Sequence, residues 1–205
     1  MRRYLALLIS TILIASFTVV PAMANEIPVI TVTATDNSTG QKQVAEIPVN
    51  TNARILSKGE QTLAGEVYVK IPENNVGSIE LMDAATYATS TTDSSSNQNV
   101  YWKATVSVTY SDDGTYCTFS KAGASWTQLR GITTLSNRSV YWGYTLGLKS
   151  GGKTYSPTSN SVSYSTGLGA LKYGAGSVIG CNSSALITLQ SGLTVTLEAN
   201  IQKDL

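Results

Sequence analysis

The stretch Asn97–Tyr110 reads NQNVYWKATVSVTY, and Asn137–Ser150 reads NRSVYWGYTLGLKS. Each carries Val-Tyr-Trp, then a Thr three residues on, then alternating apolar positions. In the first copy Val100, Trp102, Ala104, Val106, Val108 and Tyr110 share one parity, and Tyr101, Lys103, Thr105, Ser107 and Thr109 the other. In the second, Val140, Trp142, Tyr144, Leu146 and Leu148 oppose Tyr141, Gly143, Thr145, Gly147 and Lys149. Side chains alternate across a strand with period two. Both copies are therefore expected to be long strands with one apolar face, and both indoles are expected to point into a core. Ser111-Asp112-Asp113-Gly114 and Ser150-Gly151-Gly152-Lys153 follow the two copies and read as hairpin turns.

The same alternation recurs along the chain. Ile30, Val32 and Ala34 form one face, as do Val67, Val69 and Ile71. Ala185–Gln190 reads as a strand, Ser191-Gly192 as a turn, and Leu193, Val195, Leu197, Ala199 and Ile201 as an apolar face. Trp126–Leu135 and Asn160–Ser165 read as further strands. A short helix is expected only near Met82–Tyr87. Many short strands at regular spacing indicate an all-β fold, an antiparallel β-sandwich preceded by a smaller β segment.

Residues 1–24 read as a cleaved signal peptide. Met1-Arg2-Arg3 is a charged start, Tyr4–Val20 an apolar run, and Ala22-Met23-Ala24 a small-x-small cleavage pattern. Residues 25–87 then form an N-terminal β segment or small domain. Residues 88–99, rich in Ser, Thr and Asn, read as a linker with no large apolar side chain to order them. Residues 100–205 form the C-terminal sandwich domain. In the alternative arrangement, the N-terminal strands complete the C-terminal sheets.

Taking Arg2 and Arg3 from the 14 basic residues leaves 12, against 13 acidic. Such a chain offers no clustered positive charge for phosphate, so nucleic acid is not an expected partner. Insertion in a membrane after cleavage is not expected either. There is no histidine. Ser-His-Asp and Cys-His catalysis, and imidazole zinc sites, are excluded by that count. No metal or cofactor is expected; Asp112-Asp113-Gly114 explains itself as a turn rather than a calcium loop.

Cys117 and Cys181 are the only cysteines. Outside the cell they are expected to form a disulfide. It would close a loop of about 65 residues, worth about 4 kcal/mol. The span Cys117…Trp126…Cys181 resembles the Cys…Trp…Cys arrangement of immunoglobulin domains. Ile179 stands where that fold places its corner tyrosine, so the likeness is a loose one.

Functional candidates are aromatic. Tyr101 and Tyr141 lie on the polar parity of the paired strands, where a flat ring can stack on a sugar or anchor a protein. Tyr155, Tyr164 and Tyr173 sit among Gly and Ser and could line a loop-borne site. Packing against covering elements is the competing role for all five. The expectation is a secreted, non-enzymatic binding or adhesion protein for an extracellular protein or glycan. Two alternatives stand beside it. One is a glycan-active hydrolase using two of Glu66, Glu80, Asp83, Asp112 and Asp113. The other is a subunit that self-associates through strand edges.

Overall fold

A computed structural model describes residues 29–49, 59–73, 79–90 and 99–205. The signal-peptide segment and residues 91–98 of the linker lie outside the described residues. Two antiparallel sheets make up the fold. In the first, β1 (Val29–Asp36) pairs with β2 (Lys42–Pro48) on one side and with β12 (Thr194–Asp204) on the other. The sheet continues through β11 (Val178–Leu189) and β7 (Thr133–Leu146) to an edge at β8 (Lys149–Tyr155). In the second, β3 (Glu60–Pro72) lies between the short β4 (Glu80–Met82) and β5 (Asn99–Asp112), and β5 pairs with β6 (Tyr116–Arg130). On the far side of β6 run β9 (Ser161–Ser165) and β10 (Leu171–Lys172). A helix, α1 (Ala84–Ser90), precedes β5.

The N-terminal strands are not a layer of their own. β1 joins the first sheet beside β12, and β3 joins the second beside β5 from Glu60–Ser111 to Pro72–Asn99. Of the two arrangements compatible with the sequence, this is the one in which N-terminal strands complete C-terminal sheets.

Parity explains the core. Ile30, Val32 and Ala34 are fully buried, as are Val67, Val69 and Ile71 on the other sheet. Val100, Trp102, Ala104, Val106 and Val108 from β5 join the same cluster as Val195, Leu197, Ala199 and Ile201 from β12. The two sheets touch directly. The Phe119 and Trp142 rings meet edge to face with centroids 5.9 Å apart. Both repeated indoles are buried, but their N–H groups differ. Trp102 Nε1 donates to Thr133 Oγ1 at 3.1 Å. Trp142 Nε1 has no partner among the described residues.

Local chemistry sets the connections. The Asp113 carboxylate accepts the N–H groups of Thr115 and Tyr116 at 2.9 and 2.7 Å, and Gly114 adopts φ 85°. That is the turn the sequence indicates. The helix starts because Asp83 Oδ1 accepts the Thr86 N–H at 2.7 Å, an N-cap.

Three expectations are corrected. The second hairpin turns earlier than the Gly-Gly pair suggests. Leu146 pairs with Lys149, so the loop is Gly147-Leu148, with Gly147 at φ 59°. Leu148 is consequently 107 % exposed, not inward, and Gly151-Gly152 lies within β8. Trp126–Leu135 is not one strand, because Gly131 at φ 87° separates β6 from β7.

Cys117 and Cys181 form no disulfide; both are buried free thiols. The Cys181 Sγ lies 3.8 Å from the Gly123 carbonyl, and Gly123 is six residues along β6 from Cys117. At 3.3 Å per residue that is about 20 Å, well beyond the Cα separation of about 4.4–6.8 Å that a bridge accepts. Tyr101, for which both binding and packing were open, is only 4 % exposed despite its polar parity. The helix covers it. Tyr87 of α1 meets its ring edge-on at 5.8 Å and stacks on Tyr68 at 4.5 Å.

Candidate binding trough on the outer face of the first sheet

The outer face of the first sheet carries a shallow, open trough of about 240 Å³. It is built from strand register. Tyr141 on β7 lies opposite Asn182 on β11, and Asn182 lies opposite Asn200 on β12. The three side chains form one row across the sheet. In the neighbouring row stand Gly152, Gly143, Gly180 and Gln202, on β8, β7, β11 and β12 in turn. Of the three adjacent glycines, Gly143 and Gly152 lie under the Tyr141 ring, and only Gly180 has no side chain within 4 Å of where its β-carbon would stand. Thr145 and Val178, opposite each other in the next row, form the far wall.

Glycine also fixes the tyrosine. A β-carbon at Gly143 would stand 2.6 Å from the Tyr141 hydroxyl, and one at Gly152 would stand 2.5 Å from it. Cε1 of the ring lies over the first glycine and Cε2 over the second, so the ring is laid flat on the sheet. Its accessibility remains 46 %. A ring held in place loses little freedom when something stacks on it. The amides of Asn182 and Asn200 make no side-chain hydrogen bond to any described residue, while Gln202 donates to Asp204 at 3.3 Å. No acidic or basic residue lines the trough.

The other tyrosines proposed from the sequence do not converge here. Tyr101 is sealed under α1. Tyr155 and Tyr164 stack on each other, ring centroids 3.8 Å apart and nearly parallel, tying edge strand β8 to edge strand β9. The Lys153 ammonium stands 5.0 Å from the Tyr155 ring. Tyr173 donates its hydroxyl to Asp112 at 2.7 Å; that bond pushes its pKa up to about 12. Of the five, only Tyr141 lines the trough.

The acids are dispersed over local structural contacts. Glu66 faces Lys103 at 3.6 Å, and Glu80 pairs with Lys70 at 2.9 Å. Asp83 caps the helix, and Asp112 and Asp113 hold the first hairpin turn. Among the described residues no group of three or more Cys, Asp or Glu is placed to hold a metal ion. The thiols are inert for a physical reason: burial raises Cys117 to about 11 and Cys181 to about 12.

Sequence reading missed Asn182, Asn200, Gly143 and Gly180. An isolated glycine inside a strand is a signal of close backbone approach, and both glycines carried it. Asn182 opens an Asn-Ser-Ser acceptor triplet, which says nothing of a trough, and only the register of three strands aligns the two amides with Tyr141. Comparison with protein-family models, curated proteins and solved structures gives no match.

Proposed function

We propose that this is a secreted, non-enzymatic β-sandwich protein, immunoglobulin-like in the loose sense, that acts by contact with an extracellular glycan or protein. The observation that carries the reading is the row Tyr141–Asn182–Asn200: a flat exposed ring aligned with two amides whose hydrogen-bonding capacity is unspent. Rings of this kind give contact area at low entropic cost. The charged start, apolar run and Ala-x-Ala of residues 1–24 support export.

The alternatives find less support. A two-carboxylate hydrolase needs paired acids in one cleft, and the trough contains none. Self-association through the β8 edge is opposed by that edge itself. On β8, Lys149 and Lys153 lie on the inward parity, opposite Leu146 and Trp142. Inward-pointing lysines on an edge strand obstruct the docking of another strand.

The test is retention. The full chain is expressed with its own N-terminus, recovered from the medium and applied to immobilised extracellular glycans and matrix proteins. A mature chain beginning at Asn25, retained in the parent and lost in Tyr141→Ala while Tyr116→Ala is still retained, supports the proposal. Equal retention of parent and Tyr141→Ala overturns it.

A further inference from the structure

Resting on that reading of the trough, we infer that its ligand is a single uncharged sugar ring, seated against the Tyr141 ring and over Gly180 with its hydroxyl edge toward Asn182 and Asn200. Four features of the site select this class.

The first is where the trough lies. β7, β11 and β12 each have a strand paired on both sides. Their backbone N–H and C=O groups are spent in the ladders, so an extended peptide cannot be held by strand addition, which needs an open edge. Whatever binds here must be held by side chains and by contact with the trough.

The second is the hydrogen-bonding character of the wall. Each Asn amide offers two N–H donors and an acceptor oxygen. A row of sugar hydroxyls, each both donor and acceptor, can use both kinds. An apolar side chain docked in the same place would desolvate the amides without replacing their water, at about 1–3 kcal/mol for each group left unpaired. An apolar peptide anchor is thereby disfavoured.

The third is charge. No charged residue lines the trough, so it offers no cation for a uronate, sialate or phosphate, and the Asp204 carboxylate beside it is engaged by Gln202. A charged ligand would lose hydration with no counter-charge to compensate.

The fourth is size and shape. The Tyr141–Asn182 row and the Thr145–Val178 row are four residues apart along their strands, about 13 Å. Once side chains are allowed for, that leaves room for one six-membered ring. The volume of about 240 Å³ falls short of the roughly 300–1,000 Å³ of sites for drug-sized ligands. The flat tyrosine supplies an aromatic surface for the C–H face of the ring, and Gly180, which carries no side chain, leaves room for its edge.

Saturation-transfer NMR on the full chain tests the inference. The probes are four neutral sugars (glucose, galactose, mannose and N-acetylglucosamine), glucuronic acid and a proline- and tyrosine-containing peptide. Expected are signals from at least one neutral sugar, unchanged between low and high salt, with no signal from glucuronic acid or the peptide. Asn200→Leu, on the solvent face, should weaken the sugar affinity about tenfold or more, and Asn200→Gln should retain part of it. Circular dichroism of each variant confirms that the fold is kept. No signal from any neutral sugar, stronger binding of the acid or the peptide, or salt-sensitive binding overturns the inference. If Tyr141→Ala abolishes retention on matrix while every neutral sugar is silent, the trough stands as a site and the ligand class is wrong. If Tyr141→Ala changes nothing in the retention assay, the functional reading itself fails.

Discussion

Gly65 on β3 and Ile30 on β1 meet across the two sheets so closely that a β-carbon at 65 would stand 2.8 Å from the Ile30 Cβ. The contact joins the N-terminal strand of one sheet to the N-terminal strand of the other. Gly65→Ala must therefore push Ile30 or the strand backbone aside, and overpacking of this kind costs about 1–3 kcal/mol. The expected result is a lower urea midpoint with an unchanged m-value. A neutral or stabilising substitution would mean the layers are not in contact there.

The two repeated tryptophans should respond differently to loss of the indole nitrogen. Trp102→Phe removes the bond to Thr133 and leaves that hydroxyl wanting a partner. Trp142→Phe removes a buried N–H that has no partner, which offsets part of the lost packing. Trp102→Phe is expected to be the more destabilising by about 1–3 kcal/mol. Equilibrium denaturation of the two variants measures the difference directly.

Much of this was legible in the sequence, and the failures share a cause. Period-two alternation placed Ile30, Val67, Trp102 and Leu197 in the core because strand parity is a local property. Parity assigns a face but does not say what covers it, so the sequence left Tyr101 between binding and packing, and the ring of Tyr87 on α1 meets it. The cysteines each sit on a buried parity, but the position of each along its strand depends on the stacking of one sheet on the other. Gly151-Gly152 looked like a turn because paired glycines usually are. Here they make room for Tyr141 and Tyr144. The row of Tyr141, Asn182 and Asn200 spans residues about sixty positions apart and needs the register of three strands.

The cysteines provide a redox test. Because they are too far apart to bridge, the mature chain should carry two thiols. Alkylation after unfolding should add two labels without prior reduction, and a reducing agent should leave the thermal midpoint unchanged. In the native state labelling should be slow, since burial holds the thiols at about 11 and about 12. A single oxidised species two mass units lighter than the dithiol would contradict the strand geometry.

Acid should weaken the protein through its turns. Asp36 accepts hydrogen bonds from the Ser38 and Thr39 hydroxyls and from the Ser38 N–H, and these lower its pKa. Asp113 is lowered by the Tyr116 and Thr115 N–H groups. A carboxyl whose folded pKa is below its unfolded value contributes stability that is complete above the unfolded value, about pH 4. That contribution is lost as pH falls through the folded pKa. Asp36→Asn and Asp113→Asn should each flatten the acid limb of a stability–pH curve. Tyr173 is raised to about 12 by its bond to Asp112. Its contribution is complete below about pH 10 and fades as pH rises toward 12, a dependence that Tyr173→Phe should abolish.

Hydroxyl-radical footprinting of the tyrosines, with and without the extracellular material that retains the protein, bears most directly on the trough. Tyr141 and Tyr116 are each 46 % exposed, but they lie on different sheets, so one serves as the internal control for the other. Bound material is expected to protect Tyr141 and leave the oxidation of Tyr116 unchanged. Protection of Tyr116 with Tyr141 still fully reactive would place recognition elsewhere on the molecule and contradict the assignment.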